Sequence, residues 1–223
     1  MNTRPAGVLW DMDGTLLDSE KLWDVAVRDL AVELGSQMTD ELRRSLIGAS
    51  GPNALRIVFT GLGLDPHPDA MRAAGEFLER RVTELMAEPI PWRPGAKDAL
   101  AMVRAAGLPS ALVTNTKRSL AEFGREYFDA SVCGDEVPHG KPEPDVYLRA
   151  AELLGLDPKT CVAVEDSPTG VAAAEAAGCA VLVVPCEIAV PEAPTRIQRD
   201  SLVELTMADL GEVLNTRYPV DQA

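Results

Sequence analysis

Positive charge is scarce in this chain: 21 Lys and Arg stand against 35 Asp and Glu, a formal net charge of −14. Such a surface repels polyanions, which excludes nucleic acid and anionic lipid as partners. An anionic substrate is also repelled at long range, so any phosphate site must be made locally positive by a metal ion or a placed lysine. Cysteine is limited to Cys133, Cys161, Cys179 and Cys186, none of them in a C-x-x-C pair. Each lies in or beside an apolar run, so core thiols in a reducing compartment are expected, not zinc ligands. No window approaches the ~20 apolar residues of a membrane span. Nor does a basic stretch followed by a long apolar run open the chain, and a soluble, cytoplasmic protein is expected. Aromatics make up only 4%. The apolar content is carried by Ala, Val and Leu, a composition suited to helices packed on a parallel sheet.

What is present is a repeated pattern. Val8-Leu9-Trp10 runs into Asp11, Ala111-Leu112-Val113 into Thr114-Asn115-Thr116, and Ser131-Val132-Cys133 into Gly134-Asp135-Glu136. Cys161 to Val164 runs into Glu165-Asp166-Ser167, and Ala180 to Val184 into Pro185. These short apolar runs lack alternation, as strands buried on both faces do. Between them, Ala96–Ala106, Asp145–Leu154 and Thr169–Ala177 carry helical spacing and end before Gly107, Gly155 and Gly178. Glycine just past a helix is the usual left-handed stop. The fold class predicted is α/β, a doubly wound parallel sheet. Ligands of such sheets bind beyond the carboxyl ends of the strands, where the polar residues above fall. Pro185 to Asp200 reads as a surface loop, and Ser201 to Leu214 as a closing helix or a short strand and helix.

Residues from about 18 to 91 break the alternation. Leu22–Leu34, Thr39–Leu46, Asn53–Leu62 and Asp69–Met86 read as amphipathic helices. The expected division is a core of residues 1–16 and 92–223 and a helical insert of residues 17–91. A helical insert between a catalytic strand and its sheet is most naturally a lid.

Asp11 and Asp13 are two carboxylates on one side of an extended chain, and Gly14 then permits a sharp turn. Thr114 and Asn115 offer a hydroxyl and an amide, Lys141 a cation between Gly140 and Pro142, and Glu165 and Asp166 two further acids. Four carboxylates in one cleft demand a cation, and an oxygen-only donor set points to Mg²⁺. Magnesium held by few carboxylates shares its remaining positions with water and substrate phosphate, which makes phosphoryl transfer the chemistry expected.

These motifs resemble those of the haloacid dehalogenase superfamily of phosphatases, in the branch of β-phosphoglucomutase and small sugar-phosphate phosphatases. The residues concerned are Trp10 to Thr15, Val113 to Thr116, Gly140 to Asp145 and Val164 to Ser167. The resemblance implies a helical cap after the first motif, Asp11 as a nucleophile forming an aspartyl-phosphate, and Asp13 as acid and base. It implies phosphate contacts from Thr114, Asn115 and Lys141, and Mg²⁺ bound by Asp11, Asp166, Glu165 and the carbonyl of Asp13. The substrate expected is a small phosphate monoester, and the protein is expected to be a monomer or weak dimer. Residues 48–53, small and uncharged, are expected to select a compact sugar or polyol phosphate.

Two rival readings follow. A phosphomutase of this branch carries a cap histidine where Trp23 stands, a cap arginine in the loop where Gly48-Ala49-Ser50-Gly51 stands, and an apolar residue in place of Thr15. A non-catalytic phospho-ligand sensor would usually have lost Asp11, Asp13 or Lys141. The two histidines, His67 and His139, are assigned nothing.

Overall fold

In a computed structural model, which describes residues 4–46, 49, 51–87, 90–121 and 125–219, the chain divides into two units. One comprises residues 1–18 and 91–223, the other residues 19–90.

The first unit is built on β1 (Gly7–Trp10), whose four residues are all buried. The second unit follows, with α1 (Glu20–Glu33), α2 (Asp40–Ser45), α3 (Gly51–Gly61) and α4 (Pro68–Met86). The chain then returns to the sheet through α5 (Ala96–Ala105), β2 (Ser110–Val113), β3 (Ala130–Val132), α6 (Asp145–Leu154) and β4 (Cys161–Glu165). It ends with α7 (Pro168–Ala177), β5 (Ala180–Val183), β6 (Arg196–Gln198) and α8 (Met207–Arg217).

The six strands pair in the order β3-β2-β1-β4-β5-β6, and every pairing is parallel. This is the doubly wound α/β sheet. The register is set by burial: Leu9, Ala111, Ala163, Val181 and Val183 share one apolar cluster with Val146, Tyr147, Ala150, Val171 and Ala174 of α6 and α7. A one-residue slip would turn these side chains to the opposite face. Helix ends are chemically marked. Ser167 caps α7 by accepting from the Gly170 N–H at 3.1 Å, and Gly155 and Gly178 close α6 and α7 in the left-handed conformation.

One expectation needs correction. The segment Pro185 to Asp200 is not all loop, because Arg196–Gln198 forms β6 against β5. Three half-buried residues with one apolar side chain carry no periodicity to read. Pairing to an already formed β5 makes this strand, not its own propensity. The following segment is helical only from Met207, where Thr206 and Asp209 form a capping box.

The helical unit has its own core, in which Leu30, Ala31, Val58, Phe59 and Ala74 are buried together. Arg43 pairs with Asp24 and Arg81 with Asp29, each at 2.7 Å. Of residues 48–53, expected to select substrate, residues 48 and 50 lie outside the described residues. No helix among the described residues is long and apolar enough to cross a membrane.

Candidate active site

Three adjacent strands end together and deliver the site. Trp10 is in register with Leu112 of β2 and Val164 of β4. Asp11, one residue beyond β1, donates its N–H to the Val164 carbonyl at 3.0 Å. Glu165 ends β4, Asp166 follows it, and Thr114 follows β2. Backbone pairing thus brings side chains more than a hundred residues apart in the chain to one sheet edge.

Lys141 reaches this edge from the loop before α6. Its ammonium donates to Asp11 Oδ1 at 2.5 Å, to Glu165 Oε1 at 2.6 Å and to the Val113 carbonyl at 3.0 Å. All three donors of the ammonium are therefore spent. Asn115 holds the lysine backbone from both sides, accepting from Lys141 N–H at 2.7 Å and donating to its carbonyl at 3.1 Å. The amide of Asn115, expected on phosphate, is hydrogen-bonded to the Lys141 backbone through both its oxygen and its nitrogen. Asp13 presents Oδ2 to two hydroxyls, Thr116 at 2.6 Å and Thr114 at 3.3 Å.

Asp11, Glu165 and Asp166 are buried and each offers an oxygen within 4.8 Å of the others, so the three could hold one cation. Asp13 is not in that cluster. Two observations test the fit of a metal here. Asp11 Oδ2 is buried without a hydrogen-bond partner, a costly state for a carboxylate oxygen unless a ligand takes it. The donors are also all oxygens, as a hard divalent cation requires. Glycines make room: a Cβ on Gly14 would fall on the Asp166 carboxylate, and one on Gly170 on that of Glu165.

The electrostatics show the same deficit of positive charge. Burial, and next the nearby Glu165, push the Asp11 carboxyl up to about 7 from its ordinary 3.8, and Lys141 only partly offsets them. Lys141 is raised above the ordinary lysine range: burial acts to lower it, but the attraction of Asp11 and Glu165 prevails. A stability prediction follows for the metal-free protein. Between about pH 4 and 7 the folded chain holds a proton at Asp11 that the unfolded chain has released. Asp11 therefore favours the folded state as pH falls through that window and loses this contribution as pH rises through about 7. Lys141 is charged in both states throughout, so it adds no slope. Melting in chelator at about pH 5.5 and about pH 8 should show a larger gain at the lower pH for the native chain than for Asp11→Asn. Equal gains would contradict the assignment.

Thr116 belongs to the motif after β2 with no role assigned to it, and it grips Asp13. One participant has no motif to announce it. Tyr147, buried on α6, donates its hydroxyl to Glu165 Oε1 at 2.5 Å. A tyrosine among apolar residues on a helix reads as core, and only its partner reveals more. The opposite occurs at Asp135 and Glu136, which lie at a strand end but are engaged by Arg118. Trp92 packs edge-on to Tyr127 at 5.4 Å and carries Lys97 over its ring. His67 caps α4 and His139 pairs with Asp145.

Comparison with known proteins identifies the family. Residues 5–178 match the family model of the haloacid dehalogenase-like hydrolases. Hexitol phosphatase B of Escherichia coli K12 is 35% identical over 218 residues, covering 91% of this chain and 95% of that protein. The phosphorylated carbohydrates phosphatase of Thermotoga maritima is 35% identical over 178 residues, covering 77% of this chain and 81% of that protein. The crystal structure of CbbY from Rhodobacter sphaeroides in complex with phosphate is 31% identical. It superposes with a TM-score of 0.81, covering 92% of this chain and 99% of that one.

Proposed function

The chain belongs to the haloacid dehalogenase-like hydrolases and is a phosphatase, and from that premise we propose that it hydrolyses a small sugar or polyol phosphate through an aspartyl-phosphate at Asp11. The observation that carries this reading is the open Asp11 Oδ2, buried beside a carboxylate cluster while its other oxygen is pinned by Lys141.

Asp11 attacks phosphorus, a P–O bond forms, and the ester P–O bond breaks. The departing alkoxide takes a proton from Asp13. Water then attacks the phosphoryl group, Asp13 accepts its proton, and inorganic phosphate leaves with Asp11 regenerated. Thr114 and Thr116 both meet Asp13 Oδ2, contacts that hold the carboxyl group in place for its part as acid and base. A nucleophilic carboxylate must approach an anion, and two unit charges at 4 Å repel by about 4 kcal/mol at an effective dielectric near 20. Lys141 offsets that repulsion at Asp11, and Thr114 supplies a hydroxyl for the phosphoryl oxygens. Asp11, Asp166 and Glu165, with the Asp13 carbonyl, are the residues for Mg²⁺. When bound, that ion neutralises charge on the phosphoryl oxygens.

The substrate class is supported by residues 48–53, small and uncharged, and by the hexitol and carbohydrate phosphatases among the relatives. A panel of phosphate monoesters tests the reading. Hexitol and sugar monophosphates should release phosphate fastest with Mg²⁺, nucleotides slowly, and chelator should stop all release. No release from any ester, or an undiminished rate in chelator, would overturn it.

A further inference from the structure

Tyr147 touches both partners of the buried ion pair behind the nucleophile. Its hydroxyl meets Glu165 Oε1 at 2.5 Å, and its ring face lies 5.2 Å from the Lys141 ammonium. The same Glu165 oxygen receives Lys141. Two short hydrogen bonds therefore fix Oε1, while Oε2 accepts longer ones, from the Asp166 N–H at 3.3 Å and the Ser167 hydroxyl at 3.5 Å. The carboxylate lies against Gly170, where a Cβ would collide with it. Tyr147 is fully buried in the α6 side of the sheet core, so it has no freedom to seek another acceptor.

We infer that Tyr147 is a positioning residue: its hydroxyl fixes the orientation of Glu165, and its ring and Glu165 together hold the Lys141 ammonium on Asp11. It touches no reacting atom. A lysine ammonium is a compact charge on a flexible stem. Its aim at Asp11 Oδ1 depends on where the second carboxylate stands. Loss of the hydroxyl leaves Glu165 Oε1 with one donor and lets the carboxylate rotate, drawing Lys141 with it.

This inference rests on the reading of Asp11 as nucleophile, and its test is chosen to fail separately. Tyr147→Phe keeps the ring over Lys141 and removes only the hydroxyl. It should lower kcat about tenfold, the effect of one hydrogen bond to a charged group. KM should stay within about twofold, the sign of an interaction that acts on the chemical step. Tyr147→Leu, which also loses the ring face, should lower kcat further. A residue that merely filled space would leave the Phe variant with native kcat, and that result would overturn the inference. The second arm needs no activity. A double-mutant cycle in urea pairs Tyr147→Phe with Lys141→Met, or with Glu165→Gln should Lys141→Met not fold. Non-additive stabilities are expected, and additivity overturns the inference. If the native chain hydrolyses no ester, the proposed function falls and the cycle still decides whether Tyr147 holds the ion pair.

Discussion

Exchanging Asp11 for asparagine should remove turnover while leaving the fold intact or slightly firmer. Asparagine has the shape of aspartate, so the buried site beside Val164 is still filled. Its carbonyl oxygen can still accept from Lys141, and Glu165 still neutralises that lysine. What disappears is the nucleophile. In enzymes whose covalent nucleophile is deleted, the residual rate comes from binding alone, and a loss of at least about 10⁴-fold is expected. Stability should move the other way, because the native carboxylate is held against its burial, with its carboxyl pushed up to about 7. A neutral amide avoids that penalty. The pair of measurements is phosphate release and melting in chelator at about pH 8, where Asp11 is mostly ionised. A variant that kept more than about a hundredth of the native rate would remove Asp11 from the mechanism.

Lys141→Met has the second large effect, and it strikes both properties. Methionine matches the lysine stem in volume but offers no charge and no donor. Asp11 Oδ1, Glu165 Oε1 and the Val113 carbonyl all lose a hydrogen bond in a site only 6% exposed at Lys141. Breaking a buried pair by deleting one partner typically costs about 3–5 kcal/mol, because the surviving charge stays buried. Here two carboxylates survive, Glu165 being wholly buried. Urea denaturation should show this loss, larger at about pH 8 than at about pH 5.5, since protonation of Asp11 relieves one of the stranded charges. Activity should fall by about 10³-fold or more with the loss of the charge beside the nucleophile. Adding Asp11→Asn to Lys141→Met should recover part of the stability, since one of the stranded charges is then gone. Strict additivity of the two substitutions would show that the pair is not coupled as the distances indicate.

Tyr147 marks the limit of reading a site from residue order. Asp11, Asp13, Thr114, Glu165 and Asp166 stand out as polar residues that follow apolar runs, and Lys141 as a cation between Gly140 and Pro142 ahead of a helix. An apolar strand has no reason to end in a carboxylate unless something there uses it. Tyr147 gave no such signal, since its ring belongs on the apolar face of α6 whether or not its hydroxyl has work. Asn115 was visible as a polar residue after β2, but its bidentate hold on the Lys141 backbone was not. β6 has no local signal for a related reason. Its three residues become a strand only by adding to β5.

Residue order alone determined the alternation of buried strands and helices, the helical interruption after β1 and the set of acids at strand ends. These follow from local periodicity and from the cost of burying charge, both of which a linear chain displays. Only the tertiary structure decided which oxygen meets which donor: Lys141 reaches Asp11 across 130 residues and Glu165 across 24. Hydrogen bonds of that kind depend on atomic positions set by the packed sheet, and nothing in the local chain encodes them.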